Sequence, residues 1–155
     1  LQFYTDPEIK QIILRSAKIL NCRIDDQAAD LLAKSCRKTP RIANRLLKRC
    51  RDYAEVYDKS IIDTEILKES LKNLGIDDLG LDHVDREMLE TIIDKFNGGP
   101  VGLNTLSAAT GEEQETIEDI YEPFLIQIGF LERTSRGRIA TQRAYDHLNV
   151  PFRLL

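Results

Sequence analysis

The stretch GEEQETIEDIYEPFLIQIGFLERTSRGRIAT, residues 111–141, changes its hydrophobic period part-way along, and that change decides the fold of this half of the chain. In its first half Ile117, Ile120, Tyr121, Phe124 and Leu125 recur at spacings of three and four, the period of a helix with one buried face. Thr110-Gly111-Glu112-Glu113 matches a capping box and predicts that this helix starts there, and Pro123 is expected to kink it or end its first segment. Beyond it, Phe130-Leu131-Glu132-Arg133-Thr134, a turn at Ser135-Arg136-Gly137, and Arg138-Ile139-Ala140-Thr141 predict a β-hairpin.

Working outward, a helix is predicted over about 142–148. Upstream lie a helix over about 82–96 (Met88, Leu89, Ile92, Ile93, Phe96), a stop at Asn97-Gly98-Gly99-Pro100, and a short helix over about 104–110. Three helices followed by a two-stranded hairpin is the layout of a winged helix-turn-helix, with the hairpin as the wing. Before it, Ile76-Asp77-Asp78-Leu79-Gly80-Leu81-Asp82 is acidic and reads as a linker.

The first half reads as four helices. Asp6-Pro7 opens one of about 7–20 with Ile9, Ile13, Ala17 and Leu20 inward; Asp25 or Asp26 caps a second carrying Ala28, Leu31, Leu32 and Ser35. Thr39-Pro40 opens a long third helix with Ile42, Leu46, Cys50, Tyr53 and Tyr57 on one stripe. Asp63 caps a fourth with Ile66, Leu67, Ser70, Leu71 and Leu74 inward and Gly75 just past its end. The expected fold class is therefore mainly α: a small four-helix bundle over 1–75, then a winged-helix domain with a β-hairpin wing over 76–155.

At 155 residues the chain suits one ordinary domain or two small ones, and 42% hydrophobic with 31% charged residues is a globular balance. No apolar run approaches the roughly 18–20 residues that span a bilayer, and residues 1–6 lack the basic start and apolar stretch of a signal peptide. Cys22, Cys36 and Cys50 are odd in number and form no C-x-x-C, which speaks against a disulfide framework or a zinc finger. A soluble, cytoplasmic protein without a membrane partner is expected. A first residue of Leu rather than Met suggests a processed chain or a piece of something longer.

The net charge of −4 conceals an asymmetry. Residues 1–75 carry +4, 76–129 carry −11 and 130–155 carry +3, so an acidic total does not exclude a polyanionic partner met by local basic patches. One patch is 34–51, with eight basic side chains and no acid until Asp52. Arg41 falls in the first turn of the third helix, with Arg45 and Lys48 following on the same side. A solvated helix face accounts for this pattern; so does an anion site, because a guanidinium fork fits phosphate oxygens and a cation in a first turn opposes the helix dipole. The second patch is the hairpin, where Arg133, Arg136 and Arg138 surround a tight turn, with Arg143 just beyond. An exposed tip explains these arginines as well as contact with a phosphate backbone does.

Other chemistry finds no support. His83 and His147 read as surface or helix-end residues, and no H-E-x-x-H, G-x-S-x-G, C-x-x-C or Walker A motif occurs, so no catalytic residue and no metal site is expected within this chain alone. The acids Glu112, Glu113, Glu115, Glu118, Asp119 and Glu122 read as first-turn charge and a solvated face.

The strings TPRIANRLLKRCRDYAEV (39–56), GGPVGL (98–103), GEEQETIEDIYEPFLIQIGFLERTSRGRIAT (111–141) and AYDHL (144–148) closely resemble the C-terminal part of the RuvB family of bacterial Holliday-junction branch-migration motors, from about Phe3 to about Leu148. The resemblance implies that residues 1–75 are a helical AAA+ lid and 76–155 a winged-helix DNA-binding domain, without the large ATPase domain. It implies that Arg41 is a sensor arginine reaching the phosphates of ATP, that Tyr4 packs by the base and that Pro40 shapes the same surface. Arg133 and Arg138 match arginines assigned to DNA contact, with Arg136 in the same turn. Gln114 stands where the family often has a basic residue, which removes a charge from that contact. The cofactor implied is ATP, with Mg2+ held mainly by the absent domain. The partners implied are double-stranded DNA at Holliday junctions, a homohexameric ring, and a RuvA-type junction-binding protein engaged through the absent domain. Two other classes compete: a stand-alone winged-helix transcription regulator, disfavoured by the acidic start of the third winged helix, and an adaptor whose acidic middle segment binds a basic protein.

Overall fold

Residues 4–152 are described by the computed structural model, so Phe3 and the outermost ends of the two expected domains lie outside it. The chain divides into two compact units, the first ending at Asp82 and the second beginning at His83.

The first unit holds α1 (Asp6–Ile19), α2 (Asp26–Lys34), α3 (Pro40–Val56) and α4 (Thr64–Asn73). Thr5, and not Asp6, caps α1. Its hydroxyl accepts from the Glu8 amide while the Glu8 carboxylate accepts from the Thr5 amide at 2.8 Å, a reciprocal pair that Asp6 one residue later would not make. Asp25 caps α2 through the Ala28 amide at 2.7 Å, and Asp63 caps α4 through the Ile66 amide at 2.8 Å. Between them, Ile24 and Ile62 form a parallel bridge that ties the α1–α2 loop to the α3–α4 loop. The core closes on Ile9, Ile13, Leu32, Leu46, Leu47 and Leu67, all essentially solvent-free. The buried face of α3 runs through Ala43, Leu46, Leu47, Cys50 and Ala54. This is a rotation from the expected stripe, which leaves Tyr57 past the helix end and exposed. Leu74 also turns out to solvent, because it is the C-cap and the chain leaves the helix there into Gly75 with φ of 72°.

The expected linker is not free chain. Ile76 packs on the first core, Leu81 is buried, and the Asp77 carboxylate accepts from the amides of Leu79 at 3.0 Å and Leu81 at 2.9 Å, folding 77–81 into a tight Asx-type turn. The acidic, glycine-containing composition reads as a linker; the side-chain acceptor at Asp77 gives the segment local structure instead.

The second unit begins with α5 (His83–Phe96) and α6 (Leu103–Thr110). The proposed capping box does not form: Thr110 is the last residue of α6, its hydroxyl donates to the Leu106 carbonyl at 2.8 Å, and Gly111 takes the left-handed conformation that ends the helix. A new helical rod starts at Gln114, as α7 (Gln114–Thr116), a π-turn (Ile117–Tyr121) and α8 (Glu122–Gln127). Pro123 accounts for the π-turn. Its missing N–H and its ring disturb the α-register one turn upstream, and the wider turn lets the rod continue where a break or kink was expected. The Glu122 amide accordingly reaches five residues back, to the Ile117 carbonyl.

The wing is β1 (Leu131–Thr134) paired antiparallel with β2 (Gly137–Ala140), in the register Leu131↔Ala140 to Thr134↔Gly137. Only Ser135 and Arg136 form the turn; Gly137 already belongs to β2, and Thr141 is the N-cap residue of α9 (Gln142–His147). Val101 adds a further bridge to Arg138, with amide–carbonyl bonds of 3.0 and 2.8 Å, which pins the hairpin to the α5–α6 connection. Gly137 is required at this contact: a Cβ there would overlap the Val101 backbone, and its φ is 135°. Met88, Leu89, Ile92, Leu106, Ile117, Leu125, Phe130, Leu131 and Tyr145 supply buried apolar surface to this unit. Among the described residues no helix is long and apolar enough to cross a membrane.

Candidate nucleotide and DNA contact sites

Tyr4, distant in the sequence, is brought to the residues that lead into α3, just before Pro40 and Arg41. The Tyr4 amide donates to the Lys38 carbonyl at 3.1 Å, which joins the N-terminal end of the described chain to the residue two before Pro40. The Tyr4 ring is 42% exposed, so it does not cap the core as a terminal aromatic would, and it is available to another planar group. Thr39 leaves the first turn of α3 uncapped: its hydroxyl is directed at the Cys36 carbonyl at 3.4 Å, and no acidic side chain stands in that turn. Arg41 is exposed at this end, with no hydrogen bond or ion pair among the described residues. The helix dipole, the uncapped amides and an unpaired guanidinium all favour a negative group at this end of α3. Arg45 and Lys48 are exposed one and two turns on.

Two other cations of the patch are committed: Arg37 pairs with Asp82 at 3.2 Å and Arg51 with Asp52 at 3.1 Å. Cys36 and Cys50 are buried and Cys22 half-buried; burial pushes the Cys50 thiol up to about 11 and raises that of Cys36 still further. These two are packing residues in their neutral form.

The wing arginines separate into different roles. Arg136, at the turn, is exposed, with no side-chain partner among the described residues. Arg133 is 56% exposed and lies 3.2 Å from Glu118. Arg138 departs from expectation. Its side chain is only 8% exposed, and its guanidinium is bound to the Glu122 carboxylate, itself 2% exposed, with Glu118 at 3.4 Å. The pairing register explains this, because residues 133 and 138 face each other across the hairpin on the side that meets the helical rod, whereas 136 is in the turn. The hairpin therefore does not hold all three charges outward; Arg138 anchors it to the rod. Sequence reasoning assigned Glu118 and Glu122 to a solvated face and so missed both anchors. Their spacing of four on one helix, opposite an arginine-rich hairpin, was the available signal.

Gln114 is exposed at the first residue of the rod, and Glu113, Glu115 and Asp119 are exposed near it. That surface repels the electronegative floor of a major groove, which disfavours a base-reading regulator. Among the described residues no group of His, Cys, Asp and Glu is arranged to hold a metal ion. His83 is exposed beside Glu87 at 3.5 Å, and His147 lies with its ring 5.2 Å from that of Phe130.

Two family models divide the chain between them: the RuvB AAA lid domain matches residues 4–77, and the RuvB C-terminal winged helix domain matches residues 78–149. The chain belongs to the RuvB family. It is 55% identical over 152 residues to the Holliday junction branch migration complex subunit RuvB of Chloroflexus aggregans, a match covering 98% of this chain and 43% of that relative. The Thermotoga maritima RuvB Holliday junction branch migration motor superposes with a TM-score of 0.95 at 50% identity, over 97% of this chain and 51% of the other. A variant of that RuvB gives 0.94 at 51% identity. The chain thus spans about half the length of the RuvB proteins it matches, and its mainly α fold is that of a RuvB lid bundle joined to a RuvB winged helix with a hairpin wing.

Proposed function

We propose that this chain is the nucleotide-sensing and DNA-contacting part of an ATP-driven motor that moves Holliday-junction DNA in recombination and repair. The observation that carries the proposal is the juxtaposition of Tyr4, Pro40 and an unpaired Arg41 at the uncapped start of α3, within a chain whose residues 4–149 are matched by RuvB lid and winged-helix models. Residues 1–75 act as the lid and 76–155 as the DNA-binding domain.

Bound ATP supplies the phosphate charge and the hydrolysis energy. Arg41 presents its fork to the phosphates, where a positioned arginine is worth about 10³–10⁵ in rate, and Tyr4 and Pro40 offer an apolar face to the base. No acidic side chain in the first turn of α3 competes for Arg41. In the winged helix, Arg136 and Arg133 contact the phosphate backbone and Gln114 adds a neutral hydrogen bond, while Arg138 holds the wing in place through Glu122 and Glu118. Contact through the backbone gives binding without base readout, as a motor that passes over every sequence requires. The full-length protein works in the cytoplasm as a homohexamer around duplex DNA, with Mg2+ and a RuvA-type junction-binding protein engaged mainly outside this chain.

The test is junction movement by the full-length protein with ATP. The parent is expected to convert a synthetic four-way junction into duplexes, and Arg41→Ala to stop both this and ATP turnover while leaving the melting temperature unchanged. Undiminished turnover in the variant would remove Arg41 from the nucleotide site.

A further inference from the structure

The loop between α2 and α3, residues 35–39, has two attachments that no role described so far requires. On one side it carries the nucleotide-facing residues: the Lys38 carbonyl accepts from the Tyr4 amide at 3.1 Å, and Thr39, Pro40 and Arg41 follow directly. On its other side it grips the segment through which the chain leaves the first unit. The buried Ser35 hydroxyl lies 3.3 Å from the Asp78 carbonyl, and Arg37 reaches Asp82 at 3.2 Å. Gly80 is buried so closely beneath the loop that a Cβ would come within 2.7 Å of the Ser35 carbonyl, at a φ of 88°. The Asp77 turn holds 77–81 as one piece, so a pull at Asp78 or Asp82 is carried by the whole segment.

The loop itself has little slack. Arg37 and Lys38 both have left-handed backbones, with φ of 54° and 55°, an arrangement that costs side-chain-bearing residues energy and persists only when neighbours over-determine it. Cys36, buried with its thiol 2.8 Å from the Leu32 carbonyl, fixes the start, and the Thr39 amide bonds to the Cys36 carbonyl at 3.2 Å. A displacement of Pro40 and Arg41 relative to α2 therefore has to change the torsions of residues 37 and 38, and Arg37 carries the hold on Asp82.

We propose that the 35–39 loop, through Arg37–Asp82 and the Ser35–Gly80 contact, is the relay that couples nucleotide sensing at Arg41 to the connection with the winged helix, with Arg37 and Asp82 as positioning residues. The inference rests on the motor reading above. A population shift of this kind requires only that the two states of the loop differ in how well they hold the connection.

The experiment compares full-length parent, Arg37→Ala, Asp82→Asn, the charge exchange Arg37→Asp with Asp82→Arg, and Gly80→Ala. For each, ATP turnover and junction movement are measured on the same DNA. Each of Arg37→Ala, Asp82→Asn and Gly80→Ala is expected to keep turnover within about twofold of the parent while junction movement per ATP falls about fivefold, with the charge exchange recovering most of the loss. Movement per ATP unchanged in Arg37→Ala and Asp82→Asn would overturn the relay. So would a proportionate fall in turnover and movement, which marks damage to the nucleotide site, and so would failure of the exchange to recover. A parent that hydrolyses ATP but moves no junction defeats the motor reading itself, a result separate from any of these.

Discussion

Arg136 and Arg138 are two residues apart in one hairpin, yet substitution should act on different quantities. Arg136 has no partner to lose, so Arg136→Ala is expected to change stability by no more than about 0.5 kcal/mol. In the full-length protein it should lower the slope of log affinity against log salt by about 0.9, the release of one phosphate's counterion. A salt titration on duplex DNA reads this directly. Arg138 is bound to a buried carboxylate, so Glu122→Ala leaves a buried cation with only the more exposed Glu118 at 3.4 Å and should cost up to about 3–5 kcal/mol, seen as a fall in the denaturation midpoint of the second unit. The sequence shows that arginines crowd this turn; it does not show which of them turns inward, because that depends on the register and on the distant Glu122. Cys50 supplies a prediction in pH. Its thiol is held up to about 11 against an ordinary value near 9, so the folded state keeps a proton that the unfolded state gives up. The associated stability is present below pH 9 and is lost as pH rises from about 9 through 11. Cys50→Ala should therefore show a flatter decline over that window, whatever its effect on stability at pH 7, in chemical denaturation across the range.

At the scale of the element, caps and periods made most helices legible. Asp25 and Asp63 marked starts that the structure keeps, because a side-chain acceptor three residues before an orphan amide is a local interaction and needs no tertiary partner; the Thr39-Pro40 start is kept without a side-chain cap, on the fixed φ of Pro40 at the first helical position. The failures came where two local rules competed. Thr110 satisfies the pattern of a capping box, but its hydroxyl also reaches the carbonyl four residues back, and Gly111 is the better helix terminator. Pro123 was expected to break a helix that instead widens into a π-turn, since the rod on both sides is held by buried Ile117, Phe124 and Leu125. Asp63→Ala removes a cap with nothing to replace it and should cost about 1 kcal/mol in the first unit, measured by urea denaturation. The docked 76–82 segment was illegible for a different reason: its partners, Ser35 and Arg37, are more than forty residues away in sequence.

At the scale of the whole molecule, charge is segregated: a basic first helical bundle, an acidic stretch over 76–129, and a basic wing and tail. Free cations remain at two places that matter to the function proposed, the start of α3 and the wing turn, while Arg37, Arg51, Arg133 and Arg138 have acidic partners. The proposed site residues Tyr4, Pro40 and Arg41 come from the family resemblance, whereas periodicity alone favoured a solvated face for Arg41; the geometry adds the bond between Tyr4 and Lys38 and the absence of a capping carboxylate. In the function proposed, this chain contributes a phosphate-sensing arginine to an ATP site completed by another domain. The most direct measurement is ATP hydrolysis by the purified chain, alone and then mixed with the separately expressed ATPase domain of the same protein. The account predicts no turnover alone, a rise on mixing, and loss of that rise with Arg41→Ala; turnover by the chain alone, or a rise that survives Arg41→Ala, would contradict it.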